Sequence, residues 1–164
     1  MKDLLQKLST YNIFNYLLPG IVFVALLRYF SSFDLIIDEI IIGGFLYYFI
    51  GMIISRVGSL LIEPILKKSK IVKFSEYSKF VSASKKDEKI ELFSEINNMY
   101  RTFISMMLIL ILIVIYDNIS YLVTLDYTFK STLVLLALII LFLLSYRKQT
   151  EYINKRIEAQ NDKE

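Results

Sequence analysis

Long runs without a single charged residue constrain this chain more than any other feature. No Asp, Glu, Lys or Arg falls between Leu8 and Leu27, between Ile40 and Ser55, between Thr102 and Tyr116, or between Ser131 and Tyr146. About 20 helical residues cross a hydrocarbon core of about 30 Å. The first run is long enough alone, and the apolar character of the second continues past Arg56 to Leu66. The last two are shorter, and they span if Arg101, Lys130 and Arg147 reach back to the headgroups along their aliphatic stems. Tyr11, Tyr29, Tyr116, Tyr121, Tyr127 and Tyr146 fall near the ends of the runs, where amphipathic rings favour a membrane interface. Apolar residues make up 55% of the 164-residue chain, and a soluble core would not need them gathered so densely. The segment before the first run, MKDLLQKLST, carries acid and base and has no small-residue cleavage site, so that run reads as a retained span. The expected fold is all-α: an integral membrane protein with four transmembrane helices and a cytoplasmic helical hairpin.

Orientation follows from the placement of Lys and Arg, because that bias sets topology. The N-terminal arm holds two bases, the Arg56–Arg101 connection ten and the tail after Tyr146 five, so these segments take seventeen of the nineteen in the chain. The other two connections have Arg28 and Lys130 alone, beside Asp34, Asp38, Glu39, Asp117 and Asp126. Both termini and the long connection are therefore expected in the cytoplasm of a bacterial inner membrane, as a multi-pass chain. The expected organisation has residues 8–66 as the first two spans and oligomer core, with an external loop at about 28–39. Residues 67–101 are then a basic cytoplasmic helical hairpin, residues 102–147 two lipid-facing spans, and residues 148–164 a charged cytoplasmic tail.

The long connection is patterned beyond what a linker needs. Ser84 and Asp87 match a capping box, and Leu92, Phe93, Ile96, Met99 and Tyr100 then recur at helical spacing. One helix is expected to start near Ser84 and run into the third span. Pro64 is expected to break or bend the second span's extension. The stretch from Lys67 to Val81 reads as a basic helix with Phe74, Tyr77 and Val81 on one side.

The spans differ in kind. LILILIVI at residues 108–115 suits contact with lipid tails. In the second span Gly44, Tyr48, Gly51, Ser55 and Gly58 project onto one face within about 80°, a small and polar seam. Such seams usually pack helices within one protomer; the sharper reading lines the axis of a homo-oligomeric pore. In the first span Asn12, Asn15, Tyr16 and Pro19 share a face, and Pro19-Gly20 loosens the helix as a kink or hinge. A break of this kind survives in a membrane where neighbouring protein satisfies the freed carbonyl.

Chemistry is bounded by what the chain lacks. It has no Cys and no His, which excludes disulfides, thiol nucleophiles, imidazole bases and the usual zinc ligands. No phosphate-binding glycine loop, nucleophile elbow or metal-ligand cluster is visible, so no catalytic residue, metal, zinc site or cofactor is expected, and the chain does not read as an enzyme. Lys67, Lys68, Lys70 and Lys73 beside Phe74, Tyr77 and Phe80 could hold a single-stranded nucleic acid by phosphate attraction and stacking. Positive-inside topology and anionic membrane lipids ask for the same lysines without any ligand.

The stretches YNIFNYLLPGIVF, GGFLYYFIG and INNMYR resemble the small four-span proteins encoded in bacterial anti-phage defence loci, a resemblance that covers the first two spans and the end of the long connection, about half the chain. Among these the chain is most similar to the membrane channel effectors of Hailong-type systems. The resemblance implies a homo-oligomeric ion channel, with a tetramer as the expected assembly. Its opening would be controlled by a nucleotide or oligonucleotide made by a partner nucleotidyltransferase, arresting or killing the infected cell in an abortive infection. The alternative is a non-conducting membrane adaptor or accessory subunit that docks a soluble cytoplasmic partner. A small transporter fits less well, since the spans lack a central ionisable residue.

The charge asymmetry makes a direct prediction. Reporter fusions after Glu164 and near Ser120 should report opposite sides of the membrane, and the same side for both would refute the four-span topology.

Overall fold

A chain segment that must satisfy all its own backbone hydrogen bonds has helix as its simplest form, and helix accounts for every regular element among the described residues. The computed structural model describes residues 12–119 and 127–161. The N-terminal arm, the start of the first run at residues 8–11, Tyr121 and Asp126 lie outside them, as do tail residues 162–164. Helix α1 is Ile13–Phe30, α2 is Ile40–Lys68, α3 is Tyr77–Ser84, α4 is Lys89–Ile119 and α5 is Tyr127–Asn161. Four of these helices are long and apolar enough to cross a membrane. Residues 31–39 connect α1 to α2, since α1 ends at Phe30 and α2 begins at Ile40.

Both prolines follow a single wide turn. Ile13–Leu17 and Gly58–Ile62 are π-helical, each closed by a bond across five residues, Leu18 N–H to the Ile13 carbonyl and Glu63 N–H to the Gly58 carbonyl. Pro19 and Pro64 come directly after. The widened turn is where each helix absorbs a residue that supplies no N–H and crowds the turn before it. The helix therefore runs through Pro64 to Lys68 and is not broken there.

The expected basic helix from Lys67 to Val81 does not form as one piece. Helix α2 stops in a Schellman-type turn, with Ile71 N–H bonded to the Leu66 carbonyl at 3.1 Å and Lys70 N–H to the Lys67 carbonyl at 3.1 Å. Lys70 takes the left-handed conformation this turn requires, with φ of 60°. Non-helical residues then lead to the short α3. The expected start near Ser84 also moves. The Ser84 hydroxyl donates back to the Val81 carbonyl inside α3, and it is Asp87 that caps α4, its carboxylate accepting from Lys89 N–H at 3.0 Å.

The core lies between α1, α2 and α4, where Phe23, Val24 and Leu27 meet Ile54, Met106 and Leu110. Its helices approach through small residues. A Cβ built on Gly20 would lie 1.8 Å from the Tyr47 carbonyl oxygen, and one on Gly51 would lie 1.8 Å from that of Tyr16. On the α4 side, Ser105 donates to the Ile54 carbonyl at 3.0 Å and the Thr102 hydroxyl donates to Ser55 at 3.3 Å. At the end of the bundle where α1 leaves and α2 begins, Asp117 of α4 accepts from both the backbone and the hydroxyl of Ser32. Helix α5 stands apart: only 6% of its most apolar window is buried, against 39% for α1. Leu133, Leu136, Ile140 and Leu143 are all exposed in the single chain.

The glycines give the second prediction. Gly51→Ala should cost about 3 kcal/mol or more, because the new methyl meets backbone that cannot move aside. Gly44 has open space where its Cβ would be, so Gly44→Ala should be neutral or stabilising by up to about 1 kcal/mol. Unfolding of the purified variants in denaturing detergent measures both. Loss of assembly by Gly44→Ala would mean that a second copy covers that face.

Candidate functional site

Five bases converge on one cavity at the end of the bundle where α2 finishes and α4 begins. Arg56 and Lys67 come from α2, Lys73 from the connection, Arg101 from α4 and Lys155 from α5, around about 970 Å³. Aromatic rings alternate with them: Tyr16, Phe74, Tyr77, Phe80 and Tyr152. Asn97, Asn98 and Gln149 add amide groups to the wall. The connection reaches the cavity because the left-handed turn at Lys70 sends the chain back across the end of α2. Helix α3 then rests on the far end of α5, with the rings of Tyr77 and Tyr152 6.0 Å apart.

The sole acid in the wall among the described residues is Glu63, and it is buried, with its side chain 6% exposed. Three cations surround it: Arg101 at 2.5 Å, Lys67 at 2.7 Å and Lys148 at 3.7 Å. An isolated carboxylate in such a place would cost several kcal/mol, and pairing with good geometry is what makes it tolerable. The cluster joins α2, α4 and α5 at one point. Lys148 extends the tie by donating to the Ser59 carbonyl at 2.5 Å and its hydroxyl at 2.9 Å. The buried Nε of Arg101 has no hydrogen-bond partner among the described residues.

Other contacts orient the wall. Arg56 donates to the Tyr16 hydroxyl at 3.3 Å, and the Lys67 ammonium lies 4.3 Å from the centre of the Phe74 ring. Chemically the cavity offers cationic donors, flat rings and amides, the features that hold phosphate groups and stack bases. No group of three or more acidic side chains that could hold a metal ion is present among the described residues.

The structure separates the residues singled out from the sequence. Lys67, Lys73 and Tyr77 line the cavity, while Lys68 and Lys70 are exposed and do not. Within the α2 seam, Tyr48 meets the Tyr16 ring edge to face at 5.5 Å, Gly51 touches α1, and Ser55 and Gly58 touch α4. Gly44 meets nothing within 4 Å. Pro19 and Gly20 are both buried, Gly20 against the Tyr47 backbone. Sequence reasoning missed Glu63, Arg56, Arg101, Lys155 and Tyr152. For Glu63 a signal existed: it is the only acid between Glu39 and Glu76, and Lys67 follows one helical turn later.

No protein-family model matches the chain, and neither a curated protein nor a solved structure matches it.

The Lys148 tie carries the third prediction. Helix α5 has little apolar burial, so Lys148→Met should loosen it and cost about 1–3 kcal/mol through the unsatisfied groups left behind. Limited proteolysis should then cut residues 149–161 faster than in the wild type. An unchanged digestion pattern would mean that apolar contacts, such as Phe49 with Phe142 at 6.1 Å, hold α5 without it.

Proposed function

We propose that this chain is a non-enzymatic, four-span membrane effector whose basic cavity receives an anionic nucleotide or oligonucleotide on the cytoplasmic side. In this reading a homo-oligomer conducts ions, and ligand in the cavity controls it. Four long apolar helices support the membrane setting, and the gathering of seventeen of nineteen bases in the N-terminal arm, the long connection and the tail supports the orientation. The observation that carries the ligand is the cavity. It brings Lys67, Lys73 and Tyr77 together with bases and rings from α1, α4 and α5 that are remote in sequence. Lysines present only as topology signals have no reason to enclose a space lined with aromatic faces, and a volume of about 970 Å³ lies in the range of small-molecule and cofactor sites. The resemblance to defence effectors supports a nucleotide as the anion and a channel as the output. The open space where a Cβ on Gly44 would lie leaves room for a second copy near the axis of the oligomer.

The test separates cavity lysines from those outside it. Labelled short oligonucleotides are titrated onto purified protein at two salt concentrations, with Lys73→Gln/Lys155→Gln beside Lys68→Gln/Lys70→Gln. The first pair should weaken binding and flatten the log-log salt slope by about 0.7 for each single-strand phosphate that is no longer neutralised. The second should leave both near wild type. Tyr77→Ala should cost about 1–3 kcal/mol if a base stacks on that ring. Ion flux from vesicles containing the protein, with and without the oligonucleotide, reads the output. Equal loss in both lysine pairs, or no binding at low salt, would remove the cavity as the ligand site.

A further inference from the structure

We infer that Glu63 is a tethered counter-anion of the cavity, occupying the cations that a ligand needs and so setting how much negative charge a ligand must bring. This rests on the reading that the cavity takes an anion. Glu63, Lys67 and Arg101 all face the same space, and the carboxylate already engages both cations, at 2.7 Å and 2.5 Å. An entering phosphate therefore meets these cations with a resident competitor in place. A group of low charge gains little by displacing a carboxylate whose geometry is already good, whereas a polyphosphate or a short nucleic acid brings several charges to the exchange.

Two features make exchange feasible. Lys148 lies 3.7 Å from the Glu63 oxygen that Lys67 engages and is not part of the cavity wall. Glu63 therefore keeps a cationic partner after giving up Arg101 and Lys67, and it is never left buried without a counter-charge. Arg101 also holds a buried Nε that donates to nothing among the described residues. Once Glu63 releases it, the Arg101 guanidinium is free to turn its Nε–H toward a phosphate, which favours the exchanged state. In that state Glu63 turns toward Lys148, the side chain that ties α5 to Ser59 of α2. Glu63 is thus a specificity-determining residue that also links occupancy of the cavity to the attachment of α5.

The experiment uses the full chain in nanodiscs of zwitterionic lipid, with phosphate, tripolyphosphate and a labelled short oligonucleotide as probes. Glu63→Gln should bind tripolyphosphate about tenfold more tightly than wild type, since a like charge at contact range is removed. It should also narrow the difference between tripolyphosphate and phosphate. Lys73→Gln should weaken binding in either background. Equal or weaker binding by a folded Glu63→Gln, while the wild type still binds the oligonucleotide, overturns the role of Glu63 and leaves the ligand site standing. If no probe binds wild type or variant, the ligand site itself fails and this inference with it. Anionic lipid in the nanodisc that abolishes probe binding would assign the cavity to a lipid headgroup and overturn the inference in favour of that source. Should Glu63→Gln not fold, the unaltered chain still answers. An apolar carbodiimide couples Glu63 to Lys67, mass spectrometry reads the yield, and saturating tripolyphosphate should lower it several-fold. An unchanged yield overturns the exchange.

Discussion

Helices in a hydrocarbon solvent gain nothing from hiding apolar side chains from one another, so they associate through close packing and the polar contacts it permits. The crossing of α1 and α2 meets that condition at Gly20 and Gly51, where each glycine lies against a backbone carbonyl of the other helix. Everything nearer the basic end depends on it. The crossing sets the distance at which Tyr16 reaches Tyr48 and Arg56. It also fixes the face of α2 that remains for α4, where Ser55, Gly58, Thr102 and Ser105 repeat the same small-residue strategy with hydroxyl bonds added. Helix α5 has no equivalent. To the other long helices it is attached chiefly by a ring contact and by one lysine, which makes it the one of the four whose position a local change can most readily alter.

Much of the fold was legible because hydropathy and charge add along the chain whatever the partner. The charge-free runs correspond to α1, α2, α4 and α5, and a continuous helix entering the third run from the connection is present as α4. Details decided by backbone geometry were not legible. A helix stop with lysine in the left-handed position carries none of the glycine signal such turns usually give. The Ser84–Asp87 pattern matched a capping box, yet the hydroxyl bonds backward into α3 and only the aspartate caps. Both errors have one origin: local side-chain chemistry allows several backbone partners, and tertiary packing chooses among them.

The candidate site was legible only in its local part. Lys67, Lys73 and Tyr77 lie close together in sequence, so their pattern could be read. Tyr16, Arg101 and Tyr152 reach the same cavity from helices that are remote from one another along the chain, and no single-sequence pattern joins them. Lys68 and Lys70 illustrate the converse, since neighbours in a basic run need not share a direction once the helix ends at Lys68 and the chain turns at Lys70. Glu63 was the one remote partner with a local mark, an acid isolated in an apolar stretch.

The site and the core are not independent, because they share residues on both sides of the second π-turn. Arg101 pairs with Glu63, and its backbone and side chain also pack on Gly58, 3.4 Å and 3.5 Å from where a Cβ would lie. Ser59, the next residue in that turn, is buried and accepts from Lys148. A π-turn is a natural place for this sharing, since its wider path leaves a backbone carbonyl available to a neighbouring lysine. Any displacement of Arg101 therefore changes a contact that helps seat α4 on α2. Moving Lys148 changes the tie of α5 to the same turn. The five residues Gly58–Ile62 thus stand between a charged cavity and the packed helices, so a change of charge in the cavity has a short mechanical route into the bundle.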